Sequence, residues 1–142
     1  MAIVALLAWL GLAYCTAPAD AHEYRRTAVE AAQASLAAVR TVALAGAANE
    51  DGKLLDPYLS ALIDDEAGSV AGAQQRLAAL PPPDPATRAL RDELTPLLVE
   101  AARQIGDLDG ATSAGDREAV DAHVDGLRRV GDRLDDLVGR YR

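Results

Sequence analysis

The sequence has no phenylalanine, one lysine, one tryptophan and one cysteine, Cys15. A single cysteine excludes a disulfide-stapled fold, and the absence of a glycine period excludes a collagen-like chain. The formal net charge of −8 argues against general nucleic-acid binding, because that binding depends on Lys and Arg neutralising phosphates. What the chain has in abundance is alanine within a 50% hydrophobic fraction, which favours a folded, helical chain over a disordered one.

Residues 2–19 contain no charged side chain, and residues 3–13 are almost entirely apolar. Such a run suits the apolar region of a signal peptide and, with its flanks, approaches the roughly 18–20 residues that span a bilayer. Ala19-Asp20-Ala21 satisfies the small-x-small cleavage rule and predicts a cut after Ala21. We therefore expect residues 1–21 to be a signal peptide or a membrane anchor, and the protein to be exported and either tethered to the cell membrane or secreted.

A short motif offers a second route of processing. Leu12-Ala13-Tyr14-Cys15 resembles a bacterial lipobox, in which the cysteine is lipidated after export. The resemblance implies lipidation at Cys15 and a tether to the membrane through that residue.

Residues 22–142 are predicted to form one domain of four helices. Pro and Gly cluster at three breaks, near residues 49–52, 81–83 and 109–116, and the segments between them have a helical apolar period. Asp56-Pro57 and Asp84-Pro85 each read as an N-cap followed by proline at the first helical position. We also expect the buried face of the second helix to be interrupted near residues 66–69, and a kink or a new helix start at Pro96.

Each predicted helix has an apolar stripe, and the last helix has the cleanest heptad. The stripe of the first helix consists of Val29, Ala32, Leu36, Val39, Ala43 and Gly46. The stripe of the last helix consists of Val120, His123, Leu127, Val130, Leu134, Leu137 and Tyr141. These positions, with the leucines of the two middle helices, are the predicted core.

Four helices of similar length joined by short loops predict an all-α fold: an antiparallel up-down-up-down four-helix bundle preceded by an N-terminal apolar leader helix. This topology brings the start of the first and third helices and the end of the second and fourth to one end. That end then holds eight arginines and eight carboxylates, whereas the opposite end carries a net charge of −8. The arginines would lie beside the leader, and the acidic end would point away from it.

The sequence spacing of Cys, His, Met and Glu excludes several kinds of metal and haem site. There is no C-x-x-C-H, no methionine besides Met1, and no Glu three residues before His22 or His123, so covalent haem, His/Met haem and ferritin-like di-iron sites are excluded. An N-terminal His22 could chelate copper with a second histidine, but His123 is expected near the opposite end, and we interpret it as a hydrogen-bonded histidine at the edge of the core. We interpret the acidic cluster as solvated surface rather than a cation site; it comprises Asp64, Asp65, Asp107, Asp109 and Asp116. No cofactor-binding or metal-binding residue is predicted.

Catalytic motifs are equally few. The sequence has no Cys-His pair outside the leader, no G-x-S-x-G, no Walker loop and no strand-borne G-x-G-x-x-G. No catalytic residue is therefore predicted, and the protein is expected not to be an enzyme.

Two short motifs carry a family resemblance. The run from Tyr24-x-x-Thr27 through Ala38-Val39-Arg40-Thr41, and the Pro82-Pro83 break, resemble small exported helical proteins of high-GC bacteria, which have no assigned activity to transfer. We hypothesise a non-enzymatic interaction or scaffold module that binds an unknown protein partner in the cell envelope and contacts the membrane through its N-terminal segment. The alternative is a ligand- or divalent-metal-binding sensor domain that acts through a partner, similar in outline to the extracytoplasmic four-helix sensors of chemoreceptors.

Overall fold

The computed structural model describes residues 20–142, and this part of the chain is helical, with four helices and no strand. The helices are α1 (Ala21–Glu50), α2 (Asp56–Ala78), α3 (Pro85–Ala114) and α4 (Arg117–Tyr141). The all-helical prediction is confirmed for these residues. The predicted leader helix and Cys15 lie outside them.

Aspartate side chains cap the N-termini of three of the four helices. The side chain of Asp20 accepts a hydrogen bond from the Glu23 amide at the start of α1, at 2.6 Å. Asp84 accepts from the Thr87 amide at 2.8 Å, and the Thr87 hydroxyl accepts from the Asp84 amide at 3.2 Å. This reciprocal capping box confirms the predicted Asp84-Pro85 start, and its hydrogen bonds hold the pKa of the Asp84 carboxyl below its usual range.

The predicted cap of α2 is wrong. The helix begins at Asp56 itself, its N-cap is Leu55, and no side chain caps it. The Asp56 carboxylate instead accepts from the Asn49 side-chain amide at 2.8 Å, and the same amide donates to the Leu54 carbonyl at 2.9 Å. Asp56 therefore links the start of α2 to the end of α1 rather than satisfying the amides of its own first turn.

Two predicted breaks are absent from the described helices: α3 continues past Pro96 without a new start, and it continues through residues 109–114. The buried face of α2 is interrupted as predicted, since no residue between Ile63 and Val70 is buried. Pro96 is exposed, while Leu94 and Leu97 on either side of it are buried, so both turns are held in one core. The last break is only Gly115 and Asp116: Gly115 takes a left-handed conformation at φ +66°, and the Asp116 side chain accepts from the Ala119 amide.

Helices α1 and α3 each pack against the other three helices, whereas α2 and α4 do not touch each other. The buried surface of α1 is wide and made mainly of small side chains: Tyr24, Ala28, Ala31, Ala32, Ser35, Leu36, Ala38, Val39, Val42, Ala43, Ala45 and Gly46. The large apolar side chains of the core come mostly from the other helices, among them Leu59, Leu90, Leu94, Ile105, Leu127 and Leu134.

The predicted stripes mostly correspond to buried residues. All six predicted positions of α1 except Val29 are buried. Of the seven predicted positions of α4, only His123 and Tyr141 are partly exposed. Gly46 is buried for a specific reason, since a Cβ atom at this position would lie 2.8 Å from Cγ2 of Val124. The missing side chain lets α1 and α4 approach closely at this point.

Among residues 20–142, one helix is long and apolar enough to cross a membrane. It is α1, which contains an 18-residue window of mean hydropathy 1.2. Of that window, 56% is buried inside the protein, as expected of a core helix, although its place near the N-terminus is also compatible with a signal sequence or a membrane span.

Candidate anion-binding site

Two adjacent clefts lie where the start of α1 meets the end of α4 and the start of α3. The larger has a volume of about 480 Å³ and the smaller about 240 Å³. Arg25, Tyr141 and Arg142 line both clefts. The larger is also lined by His22, Arg26, Val29, Glu30 and Gln33, and the smaller by Ala86, Thr87, Leu90 and Arg140. Four guanidinium groups and one carboxylate thus face the two clefts.

Arg140 is held in place from three directions. Its guanidinium donates to the Glu93 carboxylate across the α3–α4 interface and, through Nε, to the Asp136 carbonyl at 3.4 Å. Its carbon Cζ lies 5.9 Å from the centre of the Tyr141 ring, within the range of a cation–π contact. The hydrogen bond to Glu93 raises the pKa of Arg140 above its ordinary value. Arg140 therefore has more contacts with its neighbours than the other arginines that line the two clefts.

The other arginines are more loosely held. Arg26 approaches Glu30 at 3.7 Å, and the Gln33 side-chain oxygen, with its amide oriented toward Arg142, accepts from that guanidinium at 2.9 and 3.2 Å. Arg25 forms no ion pair with any residue in 20–142 and acts on Asp84 only as a nearby charge that helps lower its pKa. A free, planar guanidinium with parallel N–H groups suits a carboxylate or a phosphate, which it can bind with two hydrogen bonds.

Beside this site, Tyr24 is fully buried. Its hydroxyl has no hydrogen-bond partner among the described residues, and burial raises the pKa of the phenol. A buried hydroxyl without a partner loses its hydration without compensation. Tyr24 thus contributes apolar area at the start of α1 while its oxygen opposes folding.

We expect Tyr24→Phe to raise the free energy of unfolding by about 1 kcal/mol, because it removes the unpaired buried oxygen and keeps the ring. Tyr58→Phe is the matched control, since Tyr58 is 68% exposed and should leave stability unchanged. Urea denaturation of both variants measures the difference. A loss of stability in Tyr24→Phe would mean that the hydroxyl has a partner.

A polar network joins α3 to α4 away from the two arginine-lined clefts. Nδ1 of His123 lies 2.9 Å from Oε1 of Gln104, whose Nε2 donates to Glu100 at 2.8 Å. Glu100 also accepts from Arg103, and these hydrogen bonds lower its pKa. Gly126 makes room for the Gln104 amide, because a Cβ there would lie 2.6 Å from Oε1. The predicted hydrogen bond of His123 is confirmed, and its partner is Gln104.

The ends of all four helices line a third cleft of about 290 Å³, bordered by Asn49, Glu50, Asp56, Thr112, Gly115, Arg117 and Val120. Burial and the adjacent Asp121 carboxyl raise the pKa of Glu50, while Arg117 opposes the shift. Two carboxylates facing each other repel when both are ionised. The carboxylates in and beside this third cleft therefore disfavour the binding of an anion there.

The raised pKa of Glu50 means that the folded state binds a proton more readily than the unfolded chain. Its contribution to stability is thus greatest in acid and is lost as the pH rises through the folded-state pKa. We expect Glu50→Gln to raise the Tm by about 1–2 °C at neutral pH, and by less in acid. Glu118→Gln is the control: it removes one charge from the first turn of α4, the helix that also carries Asp121, and should give no such pH-dependent rise. Equal effects of the two variants at every pH would contradict the pairing of Glu50 with Asp121.

The predicted site residues are dispersed. His22 lines the larger arginine cleft, whereas His123 belongs to the α3–α4 network, so the two histidines do not share a site. Ala21, after which cleavage was predicted, is the first residue of α1. Within residues 20–142, no three His, Cys, Asp or Glu side chains are grouped so that they could hold a metal ion.

Comparison of the chain with protein-family models, curated proteins and solved structures found no match.

Proposed function

We propose that this protein is a non-enzymatic, exported helical module that engages an anionic surface and a protein partner in the cell envelope through its arginine-lined end. The observation that carries this proposal is the position of the two arginine clefts. They surround the start of α1, the point at which the uncharged run of residues 2–19 joins the helical domain. A chain tethered or exported by that run would hold Arg25, Arg26, Arg140 and Arg142 on the side nearest to it.

The proposed fold is the antiparallel up-down-up-down bundle. The ion pair of Glu93 with Arg140 joins the start of α3 to the end of α4, and the smaller arginine cleft adds the start of α1 to the same end. The acidic cleft collects the end of α1, the start of α2, the end of α3 and the start of α4. Both sets of contacts support alternating helix directions.

The proposed surface contact is electrostatic. A basic side chain near an anionic leaflet contributes on the order of 1 kcal/mol, and salt screens the attraction. Three arginines that lack a firm carboxylate partner, Arg25, Arg26 and Arg142, are available for this contact. Arg140 would add a fixed charge.

Vesicle binding tests the proposal. The protein recovered after export is mixed with vesicles of phosphatidylcholine alone or of phosphatidylcholine with phosphatidylglycerol, and sedimentation gives the bound share. We expect binding only to the anionic vesicles, release by salt, and roughly hundredfold weaker binding after Arg25→Gln, Arg26→Gln and Arg142→Gln together. The matched control replaces Arg117, Arg128 and Arg129, which do not line these two clefts. Equal losses in both triple variants would reduce the effect to net charge and reject the site.

A ligand-binding sensor is the second candidate, and one observation favours it. A largely apolar cleft of about 390 Å³ lies between α2 and α3, lined by Gln74, Leu77, Ala78, Arg91, Thr95, Leu98 and Val99. Its volume falls in the usual range for a small-molecule site. A rise in Tm with fatty acids that is abolished by Val99→Trp would favour the sensor, whereas a protein partner captured through the arginine end would favour the interaction module.

A further inference from the structure

The smaller arginine cleft has the more uniform charge of the two. Arg25, Arg140 and Arg142 line it, and no Asp or Glu is among the described residues that do so. The larger cleft, in contrast, also contains Glu30. We propose that the smaller cleft binds the phosphate group of a phosphomonoester, one for each protein molecule. This inference rests on the proposed contact with an anionic surface and names the anionic group that the site selects.

Two of the three guanidinium groups are oriented before any ligand binds. Arg140 donates to the Glu93 carboxylate and to the Asp136 carbonyl. Arg142 donates to the side-chain oxygen of Gln33. These hydrogen bonds use Nε and Nη2 of each arginine, and Nη1 of both makes no hydrogen bond to residues 20–142. A site whose donors are already oriented loses less conformational entropy when it binds a ligand.

Arg25 completes the cleft from a different helix. It lies near the start of α1, whereas Arg140 and Arg142 lie at the end of α4. Because Arg25 forms no ion pair with any residue in 20–142, its guanidinium is free to turn to a ligand. A phosphate that contacts all three arginines would join α1 to α4 and raise the Tm.

The number of guanidinium groups favours a phosphomonoester over a phosphodiester. Near neutral pH a phosphomonoester carries a charge of about −1.5 to −2 and has three free acceptor oxygens. A phosphodiester has a single charge and lacks one of those oxygens. Since a planar guanidinium pairs with two oxygens through parallel N–H groups, three arginines are satisfied more completely by the monoester.

One carboxylate beside the cleft provides a test of opposite sign. Asp84 accepts from the amide of Thr87, a lining residue, and lies close enough to Arg25 for that charge to act on it. Asp84→Asn keeps a good helix cap and removes a negative charge that repels the phosphate. It should tighten the binding of the phosphomonoester by about threefold. An unchanged affinity would mean that the phosphate does not occupy this cleft, and would overturn the inference.

Vesicle binding tests the preference itself. The exported protein is mixed with vesicles of phosphatidylcholine that contain either phosphatidic acid, a monoester, or phosphatidylglycerol, a diester, at equal zeta potential. We expect binding to be about tenfold tighter with phosphatidic acid, which corresponds to roughly one additional charge-assisted hydrogen bond. Equal binding at equal zeta potential would overturn the inference.

Arg140→Lys tests the geometry of the cleft at constant charge, because lysine lacks the planar pair of N–H groups. The preference for phosphatidic acid should fall to less than about threefold. Arg128→Lys is the matched control: Arg128 is also in α4, donates to the carboxylate of Asp125, and lines neither arginine cleft. A preference that survives Arg140→Lys, or that Arg128→Lys reduces equally, would contradict the proposed site.

A soluble ligand distinguishes a lipid headgroup from a free phosphomonoester. Glycerol 3-phosphate is titrated into the exported protein by calorimetry, with dimethyl phosphate as the diester control. One-to-one binding of glycerol 3-phosphate alone supports a free phosphomonoester, whereas a preference for phosphatidic acid without such binding supports the lipid headgroup. The absence of both results rejects the site.

The same measurements separate this inference from the proposed function. Equal binding to the two anionic vesicles overturns the selection of a phosphomonoester and leaves the contact with an anionic surface intact. A protein that binds neither vesicle but binds glycerol 3-phosphate overturns the surface contact and supports the site. A protein that binds none of the three overturns both.

Discussion

Leu134→Ala is expected to lower the free energy of unfolding by about 3 kcal/mol, the largest effect of a single truncation considered for this protein. Leu134 is fully buried in α4. The reason for the size of the effect is the composition of α1, whose wide buried face is mainly Ala and Val. These short side chains remove little apolar area from water, so the leucines of the neighbouring helices supply much of the driving force.

Urea denaturation measures this loss as a fall of about 1–2 M in the midpoint at an unchanged m value. Leu44→Ala is the matched control, because Leu44 lies on α1 and is 74% exposed. It should change stability by less than about 0.5 kcal/mol. Similar losses in the two variants would show that Leu134 is not a core residue or that Leu44 is covered in solution.

The contrast between α4 and α1 shows how far the sequence predicts the fold. Helix α4 packs against two neighbours, and the heptad from Val120 to Leu137 contains five of its nine buried residues. The heptad misses Val124, Gly126, Gly131 and Val138. Helix α1 touches three helices, and its buried face includes Tyr24, Ser35 and several alanines that no single stripe contains. An argument from a single apolar stripe finds part of a buried face and misses the small buried residues beside that stripe, such as Ala31 in α1 and Gly131 in α4.

The errors at the breaks have a local cause. Residues 109–114 contain Asp, Gly, Thr and Ser, which favour turns when only their own preferences count. In the folded chain, Leu108 and Ala111 are buried, and the Thr112 hydroxyl donates to the Leu108 carbonyl at 2.9 Å, so the helix continues to Ala114. Burial of two residues outweighs the weak preferences of their exposed neighbours, and only Gly115 adopts a conformation that ends the helix.

The candidate site was predictable in outline only. Charge and alternating helix direction indicate that Arg25, Arg26, Arg140 and Arg142 share one end, and the two clefts bring these four side chains together. The sequence does not indicate which of them is paired, because Glu93 lies 47 residues from Arg140 and sits beside it only through the packing of α3 on α4. The availability of Arg25, on which the proposed contact depends, is therefore a result of tertiary structure.

Gly46→Ala is expected to lower the free energy of unfolding by about 1–2 kcal/mol. The added Cβ would lie 2.8 Å from Cγ2 of Val124 and 3.5 Å from Cδ2 of Leu108. Valine is branched at Cβ and has few alternative rotamers in a helix, so α1 and α4 must move apart to admit the methyl group. This cost exceeds the roughly 0.5–1 kcal/mol that alanine contributes over glycine inside a helix.

Gly106→Ala is the matched control, because a Cβ at Gly106 in α3 would meet nothing within 4 Å. The same substitution should there raise the free energy of unfolding by about 0.5–1 kcal/mol, opposite in sign. Val124→Ala removes the opposing methyl groups, so in the double variant with Gly46→Ala the loss should be smaller than the sum of the single losses. Strict additivity in urea denaturation would show that the two residues do not touch, and would place the closest approach of α1 and α4 elsewhere.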